Sequence, residues 1–278
     1  MMTAVNRRST IAGLGALLGG CSPGAILNSL VSRSGYVLEE DIAYGERPRQ
    51  RLDYYRPLEP RRDGKTLVFF YGGAWRQGSK EDYLFLGQAL ASRGIGVVVA
   101  DYRLFPGVRF PAFIEDGALA TRWAANRFGA DQLFLMGHSA GGHIALMLAA
   151  NTGYLPAAGV ERMKLRGVVG ISGPYDFLPF TSRWLQDVFG EADPPATQPI
   201  NFAKAPLPPA LLINGTADRL VLPRNSERLG AAWRDAGGEA IVRLYPGVDH
   251  YFIIGAFAEL LSDRAPTLAD TLAFIDSH

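Results

Sequence analysis

The chain has 278 residues, of which 48% are hydrophobic and 20% charged, and its formal net charge is +1 at pH 7. These values are typical of a globular protein, and a single α/β domain fits the length comfortably. A net charge so close to zero gives no reason to expect nucleic-acid binding or electrostatic attraction to an acidic membrane.

The N-terminal 21 residues predict export. A pair of arginines precedes an apolar and small-residue core at 11–20, which is too short to span a bilayer, and Cys21 is the only cysteine. The segment Leu-Gly-Gly-Cys resembles a bacterial lipobox, and the arginine pair loosely resembles a twin-arginine signal. We therefore expect residues 1–20 to be a lipoprotein signal peptide and Cys21 to be lipidated. The alternative is a frayed N-terminus with a buried free cysteine.

This interpretation also predicts a location. The protein would sit on the periplasmic side of a bacterial cell envelope, held to a membrane by the lipid on Cys21. Ser22 follows the cysteine, where aspartate would suggest retention at the inner membrane, so an outer-membrane address is favoured by resemblance.

Residues 21–35 are small and polar and predict a tether to a domain at 36–278. Within that domain, strands are predicted at 36–44, 50–55, 66–71, 95–101, 133–136, 168–172, 210–214 and 240–245, and helices at 79–93, 113–128, 142–150, 223–236 and 265–277. Apolar strands that alternate with helices indicate a mostly parallel central sheet with helices on both faces.

One segment departs from this alternation. Residues 173–209 contain eight of the 18 prolines and two aromatic anchors, Trp184 and Phe189. The segment follows the carboxyl end of a strand, which is the edge where open α/β sheets bind ligands. It predicts a lid-like insert over the active site or a wall of an acyl pocket, and a rigid surface loop is an equally good interpretation.

The most informative motif is Gly-His-Ser-Ala-Gly at 137–141. It stands between an apolar strand and a helix-like stretch, which is the context of a serine nucleophile elbow. Glycines are needed on both sides of the serine because the turn is strained and the neighbouring backbone leaves no room for side chains. The hydroxyl of Ser139 is therefore the candidate nucleophile.

A serine nucleophile needs a base, and the chain has four histidines. His138 lies inside the elbow, His143 lies on the same helix as the elbow, and His278 is the C-terminal residue. His250 remains, on a loop directly after the strand predicted at 240–245, which is where a base facing Ser139 should lie.

The base in turn needs an orienting acid, which in this type of fold comes between serine and histidine in the chain. Asp218 meets that order and follows the strand predicted at 210–214. Asp176, which follows an earlier strand, is the fallback. The oxyanion needs backbone N–H donors: one is the amide of Ala140, and the others should come from the glycine-containing loop at 71–75.

Together these motifs resemble those of the α/β-hydrolase carboxylesterases, especially the bifunctional feruloyl/acetyl-xylan esterase-like group, the kynurenine formamidases and the hormone-sensitive-lipase-like enzymes. The motifs, in the family's order, are Gly-Gly-Ala-Trp at 72–75, Ala-Asp-Tyr-Arg-Leu at 100–104, Gly-His-Ser-Ala-Gly-Gly at 137–142, Gly-Thr-Ala-Asp at 215–218 and Val-Asp-His at 248–250. The resemblance implies an α/β-hydrolase fold with a catalytic Ser139, Asp218 and His250 and with oxyanion-hole amides at Gly73, Ala74 and Ala140. One departure is Tyr71, because the family usually has a histidine there that braces the oxyanion loop.

The expected function is hydrolysis of small or short-acyl carboxylic esters through an acyl-enzyme on Ser139. The sequence has no metal-ligand spacing and no phosphate-binding loop, so it predicts neither a metal nor another cofactor. Two alternatives stay open: cleavage of an amide or formamide, as in the kynurenine formamidases, and a non-catalytic envelope lipoprotein that keeps the scaffold. Nothing in the sequence indicates an oligomeric state.

Overall fold

The structure, a computed structural model, describes residues 23–278. The strands are β1 (Tyr36–Ala43), β2 (Arg51–Pro57), β3 (Thr66–Phe70), β4 (Gly96–Ala100), β5 (Leu133–His138), β6 (Gly167–Ile171), β7 (Ala210–Gly215) and β8 (Ala240–Tyr245). The helices are α1 (Pro23–Ser29), α2 (Leu84–Ala91), α3 (Ala112–Phe128), α4 (Ala140–Ala150), α5 (Tyr154–Ala157), α6 (Arg183–Phe189), α7 (Arg224–Asp235), α8 (Phe252–Gly255) and α9 (Thr267–Ser277).

The eight strands form one sheet in the order β1-β2-β4-β3-β5-β6-β7-β8. The pairs β1–β2 and β2–β4 are antiparallel, and every later pair is parallel. The central strands β3 to β7 are buried at every position, as expected for a parallel sheet covered on both faces. The predicted mostly parallel sheet with an α/β-hydrolase architecture is thus confirmed.

The N-terminal region adds an element that the sequence pattern did not predict. Residues 21–35 read as a tether, but Pro23–Ser29 form α1, which packs against α2 and the 3₁₀ turn Lys80–Tyr83 before it. The signal-peptide prediction for residues 1–20 and the lipidation site Cys21 lie outside the described residues.

The turn between β5 and α4 determines where the nucleophile lies. Ser139 has φ 53° and ψ −120°, outside the regions that side-chain-bearing residues ordinarily adopt. Its amide donates to the carbonyl of Ile171 at 2.9 Å, and its carbonyl accepts from His143 at 3.1 Å, so the strained residue is bonded on both sides. A Cβ at Gly137 would overlap the carbonyl of Gly141, and one at Gly141 would overlap the carbonyl of Phe70. The glycines therefore let α4 begin directly against the sheet.

We expect Gly141→Ala to destabilise the protein by about 1–3 kcal/mol or more, because the new methyl group cannot occupy the space held by the backbone of β3. Urea unfolding followed by circular dichroism would measure this. Gly153→Ala is the matched control: a Cβ there meets the flexible side chain of Asn151 at 3.1 Å. Equal midpoints for the two variants would contradict the packing argument.

Candidate active site

Four chain segments meet at the carboxyl edge of the parallel sheet. Ser139 follows β5, Asp218 follows β7, His250 follows β8 and the loop 71–75 follows β3. Parallel strands all end at the same edge, so residues far apart in sequence come together there. Ser139 and His250 line a single cavity of about 610 Å³ together with Gly72, Gly73 and Ala74.

The predicted acid and base are in contact. The Nδ1 atom of His250 lies 2.7 Å from Oδ2 of Asp218, and both side chains are almost fully buried. The other carboxylate oxygen of Asp218 accepts from the amides of Leu220 and Val221, each at 2.9 Å. These three hydrogen bonds hold the carboxylate in one orientation and fix Nδ1 of the ring toward it, which leaves Nε2 for the nucleophile.

The pKa of Asp218 follows from this environment. Burial alone would raise it, but the hydrogen bond and charge of His250 and the Val221 amide outweigh burial and lower the pKa below its usual value. The carboxylate therefore stays ionised throughout the neutral and weakly acidic range, and it can stabilise an imidazolium on His250.

The other candidates have different partners. Asp176, the fallback acid, pairs with Arg228 at 2.7 Å. Asp249, the carboxylate next to His250 in the chain, accepts through Oδ1 from the amides that begin α8. His143 is packed against Trp75 and its Nε2 lies 2.8 Å from the carbonyl of Thr197, while His278 lies beside Glu239. The structure thus places neither these carboxylates nor these imidazoles at Ser139.

His138 has a role that the sequence did not reveal. Its Nε2 lies 3.0 Å from the carbonyl oxygen of His250, and the two rings are 4.7 Å apart. Burial and then the neighbouring His250 lower the pKa of His138 to about 3, so the ring is neutral and donates an N–H to that carbonyl. One residue of the elbow therefore holds the loop that carries the base. A contact between residues 112 positions apart leaves no local sequence signal.

The loop after β3 has the backbone shape of an oxyanion hole. Gly73, Ala74 and Trp75 have φ values of 135°, 54° and 58°, and the Gly73 carbonyl accepts from two later amides of the same loop. A Cβ at Gly72 would lie 3.0 Å from Cβ of Ser139, so only glycine permits this approach to the nucleophile. Within residues 23–278, the amides of Gly73, Ala74 and Ala140 donate to no backbone or side-chain acceptor. They are thus free to donate to a ligand.

Tyr71, which stands where a histidine was expected, is part of a buried polar network. Its hydroxyl accepts from Arg49 at 2.6 Å and donates to Oδ1 of Asp101 at 2.7 Å. Arg49 also donates to the carbonyls of Gly78 and Tyr102, each at 2.9 Å. This network ties Tyr71 at the start of the loop 71–75, and Gly78 just beyond its end, to the residues that follow β4. A tyrosine–arginine–aspartate set therefore braces this loop, which we call the oxyanion loop.

Stacking and burial add to the network. The ring of Tyr71 stacks on Tyr102 at 4.7 Å, and the Tyr102 hydroxyl donates to the Tyr71 carbonyl at 2.8 Å. Burial, with the nearby Tyr102 and Asp101, raises the pKa of Tyr71 well above its usual value. The hydroxyl consequently keeps its proton and remains the donor to Asp101.

The proline-rich insert at 173–209 supports the oxyanion loop from behind. Phe177 and Phe189 pack on Trp75 with ring centroids 6.1 and 4.8 Å away, and Trp184 lies 6.5 Å from the same ring. No residue of the insert lines the cavity that contains Ser139 and His250. The aromatic side chains of the insert pack on Trp75, and the lid-like role of the insert stays a prediction.

The cavity walls are instead largely apolar side chains of other elements. Leu27 of α1, Tyr83 and Phe85 near the start of α2, Leu220, and Ile254 of α8 face it. The site therefore accepts a mainly apolar group beside the nucleophile. Within residues 23–278, no helix is both long and apolar enough to cross a bilayer.

Comparisons with known proteins point in the same direction as the geometry. The profile of the BD-FAE family matches residues 52–233. A probable isoprenylcysteine alpha-carbonyl methylesterase of Oryza sativa subsp. japonica is 30% identical over 75% of this chain and 57% of its own length. Esterase LipC of Mycobacterium tuberculosis is 32% identical over 78% of this chain and 60% of its own length. The chain thus spans a little more than half the length of these relatives.

A solved structure resembles the whole domain. The hyperthermophilic esterase from the archaeon Pyrobaculum calidifontis superposes with a TM-score of 0.74 and 26% identity, covering 91% of this chain and 90% of that one. The match covers a larger share of the chain than the family profile does.

The Tyr71 network can be tested by removing one oxygen. We expect Tyr71→Phe to lower kcat on a short acyl ester about tenfold or more, because the oxyanion-hole donors it positions are each worth about 3 kcal/mol. It should also lower the free energy of unfolding by about 1–3 kcal/mol, since Arg49 and Asp101 lose a buried partner. Steady-state kinetics and urea unfolding measure the two effects.

Tyr54→Phe is the matched control, because Tyr54 is also buried but lies on β2, outside this network. A Tyr71→Phe variant with unchanged kcat and the same unfolding midpoint as the control would show that the hydroxyl does not brace the loop.

Proposed function

Because this chain belongs to the BD-FAE family and has the α/β-hydrolase fold, we propose that it is a serine hydrolase that cleaves carboxylic esters of small or short-acyl substrates. The observation that carries the proposal is the pair formed by His250 and Asp218 at the cavity that also holds Ser139. The named activities of its esterase relatives support the same class of reaction.

In the proposed mechanism, Oγ of Ser139 attacks the ester carbonyl while Nε2 of His250 takes its proton. The negative charge that develops on the carbonyl oxygen is stabilised by the amides of Gly73, Ala74 and Ala140. The C–O bond to the leaving group then breaks, and the alkoxide receives the proton from His250. Water attacks the acyl-enzyme by the same route, which releases the acid and restores Ser139. Asp218 stays ionised throughout and stabilises the imidazolium.

A fluorophosphonate probe tests the nucleophile directly, since it phosphonylates an activated serine without requiring a particular ester. We expect the wild-type protein to be labelled, labelling to be lost in Ser139→Ala, and labelling to be kept in Ser182→Ala. Ser182 is the control because it lies in the insert, away from the cavity lining. A folded wild type that stays unlabelled would contradict the proposal, as would equal labelling of Ser139→Ala.

Ester and formamide cleavage use the same residues, so only substrates distinguish them. The largely apolar walls around Ser139 favour the ester, because a charged amino-acid formamide would have to place most of its polar groups against them. We expect kcat/KM to be higher for p-nitrophenyl acetate than for N-formylkynurenine. The opposite order would assign the chain to amide hydrolysis, and no turnover of either would favour a non-catalytic scaffold.

We also propose that the protein is exported and anchored in a bacterial envelope membrane through a lipid on Cys21. Support comes from the sequence alone: the lipobox-like Leu-Gly-Gly-Cys and the apolar core before it. In a bacterial host, the full chain should incorporate an alkyne fatty acid and fractionate with membranes, and Cys21→Ser should lose both properties. Soluble, unlabelled wild-type protein would contradict the anchor.

A further inference from the structure

Helix α1 comes from the segment that reads as a tether, yet it faces the cavity. Gly24 and Leu27 both line the space that contains Ser139 and His250. Leu27 is half-buried and packs against the hydrophobic core, and its Cδ1 lies 4.0 Å from the position a Cβ would take at Gly255 in α8. The helix therefore fills a gap between α8, which follows the base, and the start of α2.

Specific contacts hold α1 in that position. The side-chain amide of Asn28 donates to the carbonyl of Glu81 at 2.7 Å, and its oxygen accepts from the amide of Phe85 at 3.1 Å. A Cβ at Gly24 would lie 2.6 Å from the carbonyl oxygen of Asp82, so this close approach requires glycine. A flexible tether would not require two side-chain hydrogen bonds and a close backbone contact. These contacts of Asn28 and Gly24 determine which side of α1 faces the cavity.

We propose that α1 is a built-in wall of the substrate cavity and that Leu27 is a specificity-determining residue that limits the size of ester accepted. The inference rests on the proposed hydrolase function, because it concerns the substrate of that same site. Leu27 touches no reacting atom. It excludes substrate carbons from the volume that its own side chain fills, while Asn28 keeps it there.

The experiment compares selectivity rather than rate. Two ester series are used, p-nitrophenyl acyl esters from acetate to octanoate and alkyl acetates from methyl to hexyl, so that either arm of the ester can report. One methylene in an apolar pocket changes kcat/KM about 10-fold or more. In at least one series, Leu27→Ala should raise the preference for long over short members about tenfold, and Leu27→Trp should lower it by a similar factor. Asn28→Ala should shift selectivity in the same direction as Leu27→Ala.

Leu30→Ala is the matched control, since Leu30 follows α1 directly but is 65% exposed and does not line the cavity. Its selectivity should equal that of the wild type. All variants are first checked for wild-type thermal unfolding and for turnover of the acetate ester. If Leu27→Ala and Leu27→Trp both turn over acetate normally and neither shifts selectivity beyond the control in either series, the proposal is overturned.

Failure of the wall and failure of the hydrolase function give different results. If the wild type hydrolyses no ester but Ser139 is still phosphonylated, labelling rates with ethyl and hexyl fluorophosphonates replace the ester series, and the same pattern across the Leu27 variants is expected. If the wild type is neither active nor labelled, the proposed function fails and the wall fails with it.

Discussion

The rest of the site depends on close contact between the backbone at the start of α4 and the backbone of the neighbouring strands. The carbonyls of Phe70 and Gly141 occupy the space where side chains at 141 and 137 would begin, so α4 packs directly on β3 and β5. That contact forces Ser139 into its positive φ and raises its hydroxyl above the sheet edge. The strained turn is held on both sides, because the Ser139 amide bonds to β6 and the Ser139 carbonyl bonds to the helix α4.

The oxyanion loop shows that one structural task can be met by different chemistry. A histidine brace is replaced here by Tyr71, whose hydroxyl lies between Arg49 and Asp101. Burial raises the pKa of Asp101, but the Tyr71 hydroxyl and the charge of Arg49 oppose that shift, so the three groups depend on one another. The brace therefore couples the loop to the antiparallel part of the sheet, since Arg49 lies two residues before β2.

The sequence predicted what is encoded locally. Continuous apolar runs marked β3 to β7, and the glycine-flanked serine marked the elbow, because a buried strand and a tight turn each restrict residue types at neighbouring positions. The histidine and carboxylate followed from their order along the chain. Features that depend on residues far away in the chain were not predicted. Asn28 holds α1 by bonding to residues more than 50 positions away, and the aromatic residues of the insert pack on Trp75. The role of His138 was not predicted for the same reason.

The link from His138 to the backbone of His250 has a consequence for behaviour in acid. In the unfolded chain the imidazole of His138 takes up a proton near pH 6.5, whereas burial lowers its pKa in the folded protein to about 3. The free energy of unfolding therefore decreases as the pH falls from about 6.5 to about 3. The hydrogen bond from His138 to the carbonyl of His250 behaves differently from an ion pair. Neither partner carries a net charge, so salt does not screen it and acid does not neutralise it. In a mildly acidic or saline medium, surface ion pairs weaken. Molecules that stay folded there should keep the turn that carries Ser139 and the loop that carries His250 in the same relative position.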